Sequence, residues 1–148
     1  MPKIDIATAF ERKGSSYPSP FDVPCAERVR RRLGDAAGLS DFGVNLITLA
    51  PGVWSSQRHW HTAEDEFVFV VSGEVVLVTD EGETLLRAGD CAGFSKGVAN
   101  GHQLVNRSGA PAVCLEVGTR TEDDVCTYSD IDLVSGPSGY VHKDGTPY

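Results

Sequence analysis

Residues 66–87, EFVFVVSGEVVLVTDEGETLLR, decide how this chain folds. Runs of β-branched and aromatic residues are separated by Ser72-Gly73 and by Asp80-Glu81-Gly82, and short runs of this kind bounded by turn residues mark strands. Both interruptions carry residues that hairpin turns favour, so the stretch is expected to form a meander of three strands. Within the first run Glu66, Val68 and Val70 share one face, because successive side chains on a strand alternate sides. A carboxylate on a face that two valines must bury is a candidate for interior chemistry. Glu64 and Asp65, just ahead of the strand, can stay in solvent.

Working outward, FGVNLITL at residues 42–49 reads as a strand stopped by Pro51-Gly52. Downstream, Gly89-Asp90 makes a turn, residues 91–94 a short strand, 96–101 a loop, 102–105 a strand, 106–111 a turn and 112–117 a strand. Short strands at even spacing, with no long helix between Phe42 and Val117, indicate an all-β sandwich or closed barrel. The 16 glycines and 8 prolines fit that class, and 148 residues suffice for one core. The expected organisation is a single domain: an N-terminal arm with outer strands at 1–41, a core at 42–118, and a C-terminal extension at 119–148. SSYPSPFDVP at 15–24 holds three prolines and should run as an extended arm across the body. Residues 25–33 fit a short helix or a strand equally, ended by Gly34-Asp35. The tail YVHKDGTPY carries an Asp-Gly turn flanked by aromatics, suited to a final hairpin or a subunit contact.

A net charge of −8 and a pI near 4.8 exclude nucleic acid as a partner, since phosphate-backbone binding depends on clustered Lys and Arg. The one basic cluster, Arg28, Arg30, Arg31 and Arg32, sits beside Glu27 and reads as a solvated face. Cys25, Cys91, Cys114 and Cys126 lack C-x-x-C spacing and read as reduced thiols. The N-terminal residues show no apolar secretory core and no run reaches the roughly 20 residues of a membrane span, so a cytoplasmic, non-membrane protein is expected.

The chemistry centres on four side chains. His59 and His61 lie one residue apart, so on a strand they face the same way, about 7 Å apart along the backbone. With Glu66 and a third imidazole, His102, they compose a His3Glu set. That set suits one divalent transition ion, Zn, Mn, Fe or Ni, and fits magnesium or calcium poorly. Gln57 has the parity of the two histidines and is a candidate substrate-binding wall. Lys96, in the loop before His102, is a candidate rim contact for an anionic substrate or else a solvated lysine. His102, Leu104 and Asn106 share a face, so Asn106 either holds an imidazole from behind or serves the turn that follows it. Arg58 and Trp60 point the other way, where a large ring suits packing against the arm or a second subunit.

Taken together, Gly52…His59-Trp60-His61…Glu66…Gly73 resembles the first motif of the cupin family, and Gly89-Asp90…Gly97…His102…Asn106 resembles the second. The resemblance implies a jelly-roll β-barrel, the double-stranded β-helix of small single-domain bacterial cupins, with the metal inside the barrel mouth. It also implies that His59, His61, Glu66 and His102 are the ligands, with Gly73 and Gly89 at turns and Asn106 ending the second motif. Three positions depart from the family pattern: six residues rather than five separate Gly52 from His59, Ser95 stands where a proline is usual, and four residues rather than two separate Gly97 from His102.

Four protein ligands leave coordination positions open for a small-molecule ligand. A metal-dependent enzyme of isomerase, epimerase, cyclase or dioxygenase type is expected, acting on an oxygen-rich compound such as a sugar, sugar phosphate or keto acid. The alternative is a non-catalytic binding or sensing module, because no dedicated general base is evident in the sequence. A homodimer is expected, with the proline-rich arm and Trp60 at its contact.

Overall fold

The computed structural model describes residues 3–148. Thirteen strands are present: β1 (Glu11–Lys13), β2 (Val29–Arg32), β3 (Phe42–Leu49), β4 (His59–His61), β5 (Glu66–Ser72), β6 (Glu74–Thr79), β7 (Gly82–Arg87), β8 (Cys91–Phe94), β9 (Gln103–Val105), β10 (Ala112–Thr119), β11 (Cys126–Tyr128), β12 (Val134–Gly136) and β13 (Gly139–Val141). One layer is a sheet in the order β1-β2-β3-β10-β5-β8. The facing layer consists of β7-β6-β9 and β13-β12-β11-β4, joined by the isolated bridges His59↔His102 and Trp54↔Val105. This is an all-β jelly roll. The hydrogen-bonded ladders among the described residues form three sheets, stacked as the double layer that the expected sandwich or barrel class allows.

The expected meander is corrected by this topology. β6 and β7 form a hairpin closed at Thr79↔Gly82, but β5 pairs with β10 and β8 and not with β6. Gly73 is therefore a corner where the chain leaves one layer for the other. Its φ of +75° and the Pro111 carbonyl oxygen, 2.7 Å from where a Cβ would sit, both require glycine.

Alternation accounts for the core. Ile47 and Leu49 of β3, Val68 and Val70 of β5, Val75 of β6, and Ala112 and Cys114 of β10 point between the layers and are buried. A second cluster, Cys126, Tyr128 and Leu133, packs with Tyr17, Phe21, Ile131 and Tyr140. Polar residues 119–132 thus contain a strand, β11, that pairs with β4 and carries the extension onto the histidine strand.

At the N-terminal end, residues 25–33 resolve into β2, paired with β3 and β1, followed by a helical turn at Leu33–Ala36. The arm is less extended than three prolines suggested, since turns lead into a 3-10 turn at Val23–Cys25. It does cross the body, where Trp54 N–H donates to the Pro24 carbonyl (3.0 Å). The tail hairpin forms, with Val141 bridging Pro147. All four cysteines are free. No helix among the described residues is long and apolar enough to cross a membrane.

Candidate metal centre and its cavity

The two-residue alternation of β4 sends His59 and His61 inward, β5 supplies Glu66 from the opposite layer, and the bridge His59↔His102 brings in the third imidazole. One Glu66 oxygen, Oε2, lies 2.8 Å from His102 Nε2, 3.4 Å from His61 Nε2 and 3.5 Å from His59 Nε2. An ion with ligands at about 2.1 Å sets neighbouring donor atoms about 3.0 to 3.4 Å apart; the donors of His59, Glu66 and His102 lie within 4.8 Å of one another as one group, while His61 groups with His59 and Cys126 and with Glu64 and Asp124. The imidazoles are oriented for such an ion. His59 Nδ1–H donates to the Gln57 carbonyl (2.8 Å) and His61 Nδ1–H to Asp124 Oδ2 (2.6 Å), which leaves both Nε2 atoms directed at the centre. His102 has no such bond, and its buried Nδ1 has no partner among the described residues. Its ring is held instead by stacking on Phe94, with centroids 3.6 Å apart.

Electrostatics reinforce the cluster. Burial pushes the Glu66 carboxyl up, yet its bonds to His102 and His59 hold it well below the usual carboxylate range. Burial pushes His59 down, and the neighbouring Glu66 carboxylate reverses this to a net rise. His102 ends lowered because burial dominates there. Burial raises Asp124, but His61 and the Ala63 N–H bring it below its ordinary value. Cys126, beside His61 in the β11–β4 ladder, is near enough to His59 and His61 to join them in a donor group. Burial pushes its thiol up to about 12, and that opposes the thiolate a metal would need.

The cluster forms a wall between two cavities. The smaller, about 200 Å³, is lined by Trp60, Phe94 and Val98 together with His61, Glu66 and His102. Trp60 thus lines this smaller cavity. The larger, about 590 Å³, carries the cluster, Tyr17, Tyr128 and Glu116, and also Arg12, Arg28, Arg30 and Arg32.

Arg28 and Arg30 depart from the reading of a solvated basic face, whereas Arg31 and Arg32 keep 40% and 43% of their side chains exposed. On β2 the residues at 30 and 32 alternate inward, with Arg28 continuing the same parity, whereas Arg31 points out to Glu11 (2.8 Å). Arg28 is buried and pins the backbone, donating to the Ser55 and Gly14 carbonyls. Arg30 pairs with Glu116 (2.9 Å). Arg12 lies directly opposite Arg30 in the β1–β2 ladder and has no carboxylate partner among the described residues. Arg32 stands 3.6 Å from Asp35 and rests over the Phe10 ring.

Gln57 has a duty other than the expected one, while Asn106 and Lys96 take the second of the two roles each could have. Gln57 donates its side-chain amide to the Phe21 carbonyl (2.7 Å), and its backbone N–H reaches the Tyr17 hydroxyl (3.3 Å). Its side chain thus fastens the arm rather than walling the cavity; only its carbonyl serves the site, by orienting His59. Asn106 makes no hydrogen bond to an imidazole among the described residues. Its amide donates to the Leu49 and Ala110 carbonyls, and its oxygen accepts from Ser108, so it is a turn-holding residue inside the core. Lys96 is exposed and lines neither cavity.

Comparison with known proteins agrees with this architecture. Residues 45–118 match the family described as Cupin domain. A crystal structure of a sugar phosphate isomerase from a cupin superfamily, from Silicibacter pomeroyi DSS-3, is 49% identical with a TM-score of 0.94, covering 99% of this chain and 96% of that one. A candidate sugar phosphate isomerase from Acidithiobacillus ferrooxidans is 32% identical with a TM-score of 0.75, over 88% of this chain and 83% of that one. The polyketide cyclase RemF from Streptomyces resistomycificus shares the fold alone, at 20% identity and a TM-score of 0.63, over 80% of this chain and 79% of that one. Among curated proteins no sequence matches.

Proposed function

The chain belongs to the cupin superfamily, and from that premise we propose that it is a metal-dependent isomerase of a phosphorylated sugar. One observation carries the reading: the 590 Å³ cavity holds both the His59–His61–Glu66–His102 cluster and the guanidinium groups of Arg12, Arg30 and Arg32. The chain is acidic overall, at −8, yet four of its nine arginines, Arg12, Arg28, Arg30 and Arg32, line this cavity. Arg12 opposite Arg30 is a like-charge pair in which Arg30 has Glu116 as a carboxylate partner and Arg12 has none among the described residues. A phosphate dianion matches this arrangement, since guanidinium forks bind phosphate oxygens in pairs. The 49% identical structure bearing the sugar phosphate isomerase description supports the same substrate class.

His59, His61, Glu66 and His102 would hold the ion, of the Zn, Mn, Fe or Ni class, and it would supply Lewis-acid polarisation at the sugar carbonyl. The remaining work falls to the chain. Arg12, Arg30 and Arg32 anchor the phosphate, and that fixed end orients the carbonyl toward the cluster. Tyr128 and Tyr17, packed edge-on with centroids 5.4 Å apart, close the wall beside His59 and restrict water.

The test is turnover of a panel of aldose and ketose phosphates alongside the unphosphorylated sugars. A phosphorylated sugar is expected to turn over, with activity lost to a chelator and restored by metal. Turnover of free sugars alone contradicts the reading, and binding without turnover would assign the chain to a sensing role.

We also propose a homodimer, with the contact moved from Trp60 to the outer face of the six-stranded sheet. There Phe67, Phe69 and Val71 of β5 stand 43%, 37% and 49% exposed, a continuous apolar row of the kind that marks an interface. A second copy presents the same row to itself about a two-fold axis.

A further inference from the structure

Inward-facing positions of β10 run Ala112, Cys114, Glu116, and the first two are completely buried. A carboxylate is the third. Glu116 is half-buried, with 24% of its side chain exposed, lines the large cavity, and has Arg30 as its one ionic partner among the described residues. The ladder fixes its place: Glu116 lies opposite Val68, and Gly118 lies opposite Glu66. With about 3.3 Å per residue and 4.8 Å between strands, its Cα is about 8 Å from that of Glu66. Glu116 therefore stands between the arginines and the cluster, beside the space where the reacting carbons of an anchored sugar phosphate would lie.

The other carboxylates on this cavity are otherwise engaged or exposed. Glu66 sits among the imidazoles, Asp124 holds His61 and the Ala63 N–H, Glu64 accepts from the Thr121 N–H, and Glu122 is exposed. Arg30 meets Glu116 through Oε2, and it is also the residue a phosphate would engage.

We propose that Glu116 is the acid–base residue of the isomerisation, an assignment that rests on the function inferred above. Its carboxylate takes the proton from the carbon bearing a hydroxyl next to the carbonyl. That C–H electron pair becomes the C=C bond, and the carbonyl oxygen takes the negative charge. Glu116 then delivers the proton to the former carbonyl carbon while the neighbouring hydroxyl proton passes to the charged oxygen. Carbonyl and hydroxyl exchange places, and no atom or electron is gained or lost. Arg30 acts as a positioning residue for both the carboxylate and the phosphate.

The experiment measures wild type, Glu116→Gln and Glu116→Asp with aldose phosphates in deuterated water. For Glu116→Gln we expect kcat to fall about 10²- to 10⁴-fold, with metal content unchanged and KM within about threefold. Exchange of solvent deuterium into the product should disappear with it. Glu116→Asp, which keeps the carboxylate, should recover part of both. An active wild type with Glu116→Gln within about threefold of its kcat overturns this inference alone. So does a rise in KM at unchanged kcat, which would mark a binding role. A wild type inactive on every aldose phosphate overturns the functional reading, and this assignment with it.

Discussion

At the scale of single residues, the site depends on what stands behind each imidazole. Asp124 Oδ2 accepts from His61 Nδ1–H at 2.6 Å, and its other oxygen accepts from the Ala63 N–H at 2.8 Å, so it fixes the ring that faces Glu66. Loss of such a partner costs about 10- to 100-fold in metal affinity. Asp124→Ala is therefore expected to weaken metal retention by that factor against a competing chelator while the protein stays folded; an unchanged affinity would contradict the role. The four clustered side chains were legible because parity and spacing both point inward: His59 with His61, and Glu66 with Val68 and Val70. Parity tells which face a residue takes and not which atom it meets, and for that reason Gln57 and Asn106 were assigned to the site. Asp124 and Glu116 gave no local signal, since their partners lie 63 and 86 positions away in the chain.

Among the elements, the corner at Gly73 and the β1–β2 ladder carry the consequences. A side chain at Gly73 would face a φ of +75° and the Pro111 carbonyl, so Gly73→Ala is expected to cost at least about 1 to 3 kcal/mol in urea unfolding. A variant as stable as wild type would show that the corner relaxes. The sequence marks a turn at Ser72-Gly73 but not the partners of the strand that precedes it, because pairing of β5 with β10 is a long-range choice. Outer strands within residues 1–41 are legible in the sequence, and β1 and β2 lie there; the direction in which their arginines face is not. Arg28, Arg30 and Arg32 alternate like any strand, but arginine seldom faces an interior, so the pattern read as solvated surface. Their placement sets a trade between stability and binding. Arg12→Ala relieves the like-charge pair with Arg30, so its Tm in low salt without phosphate is expected to equal or exceed that of wild type. Its Tm rise on adding inorganic phosphate should shrink. A lower starting Tm with an undiminished rise would remove Arg12 from the anion site.

For the whole molecule, charge and surface decide behaviour. Folding leaves Asp35 below its ordinary value chiefly through its bond from Arg120, and Asp130 likewise through Arg58. Near those values the unfolded chain binds more protons than the folded one, so stability rises with pH. Their contribution is complete above the ordinary aspartate value of about 3.9 and disappears as pH falls through the folded values. Tm is expected to be level from about pH 5 to 7 with respect to these groups and to decline below about pH 4; a Tm that holds steady through the acid range would contradict this. Sedimentation tests the proposed dimer: wild type should run as a dimer and Phe69→Lys as a folded monomer, whereas a monomeric wild type rules the interface out.

The all-β class and the two motifs were readable because β periodicity and turn residues are local. The jelly-roll crossings, the strand hidden in residues 119–132 and the arginine-lined cavity arise from long-range pairing. All of these meet at the cluster, and elemental analysis of the purified protein tests it most directly. One equivalent of a divalent transition metal per chain is expected in wild type, falling to near zero in a folded His59→Ala, His102→Ala double variant. Metal-free wild type after reconstitution, or a full equivalent surviving in the double variant, would contradict it.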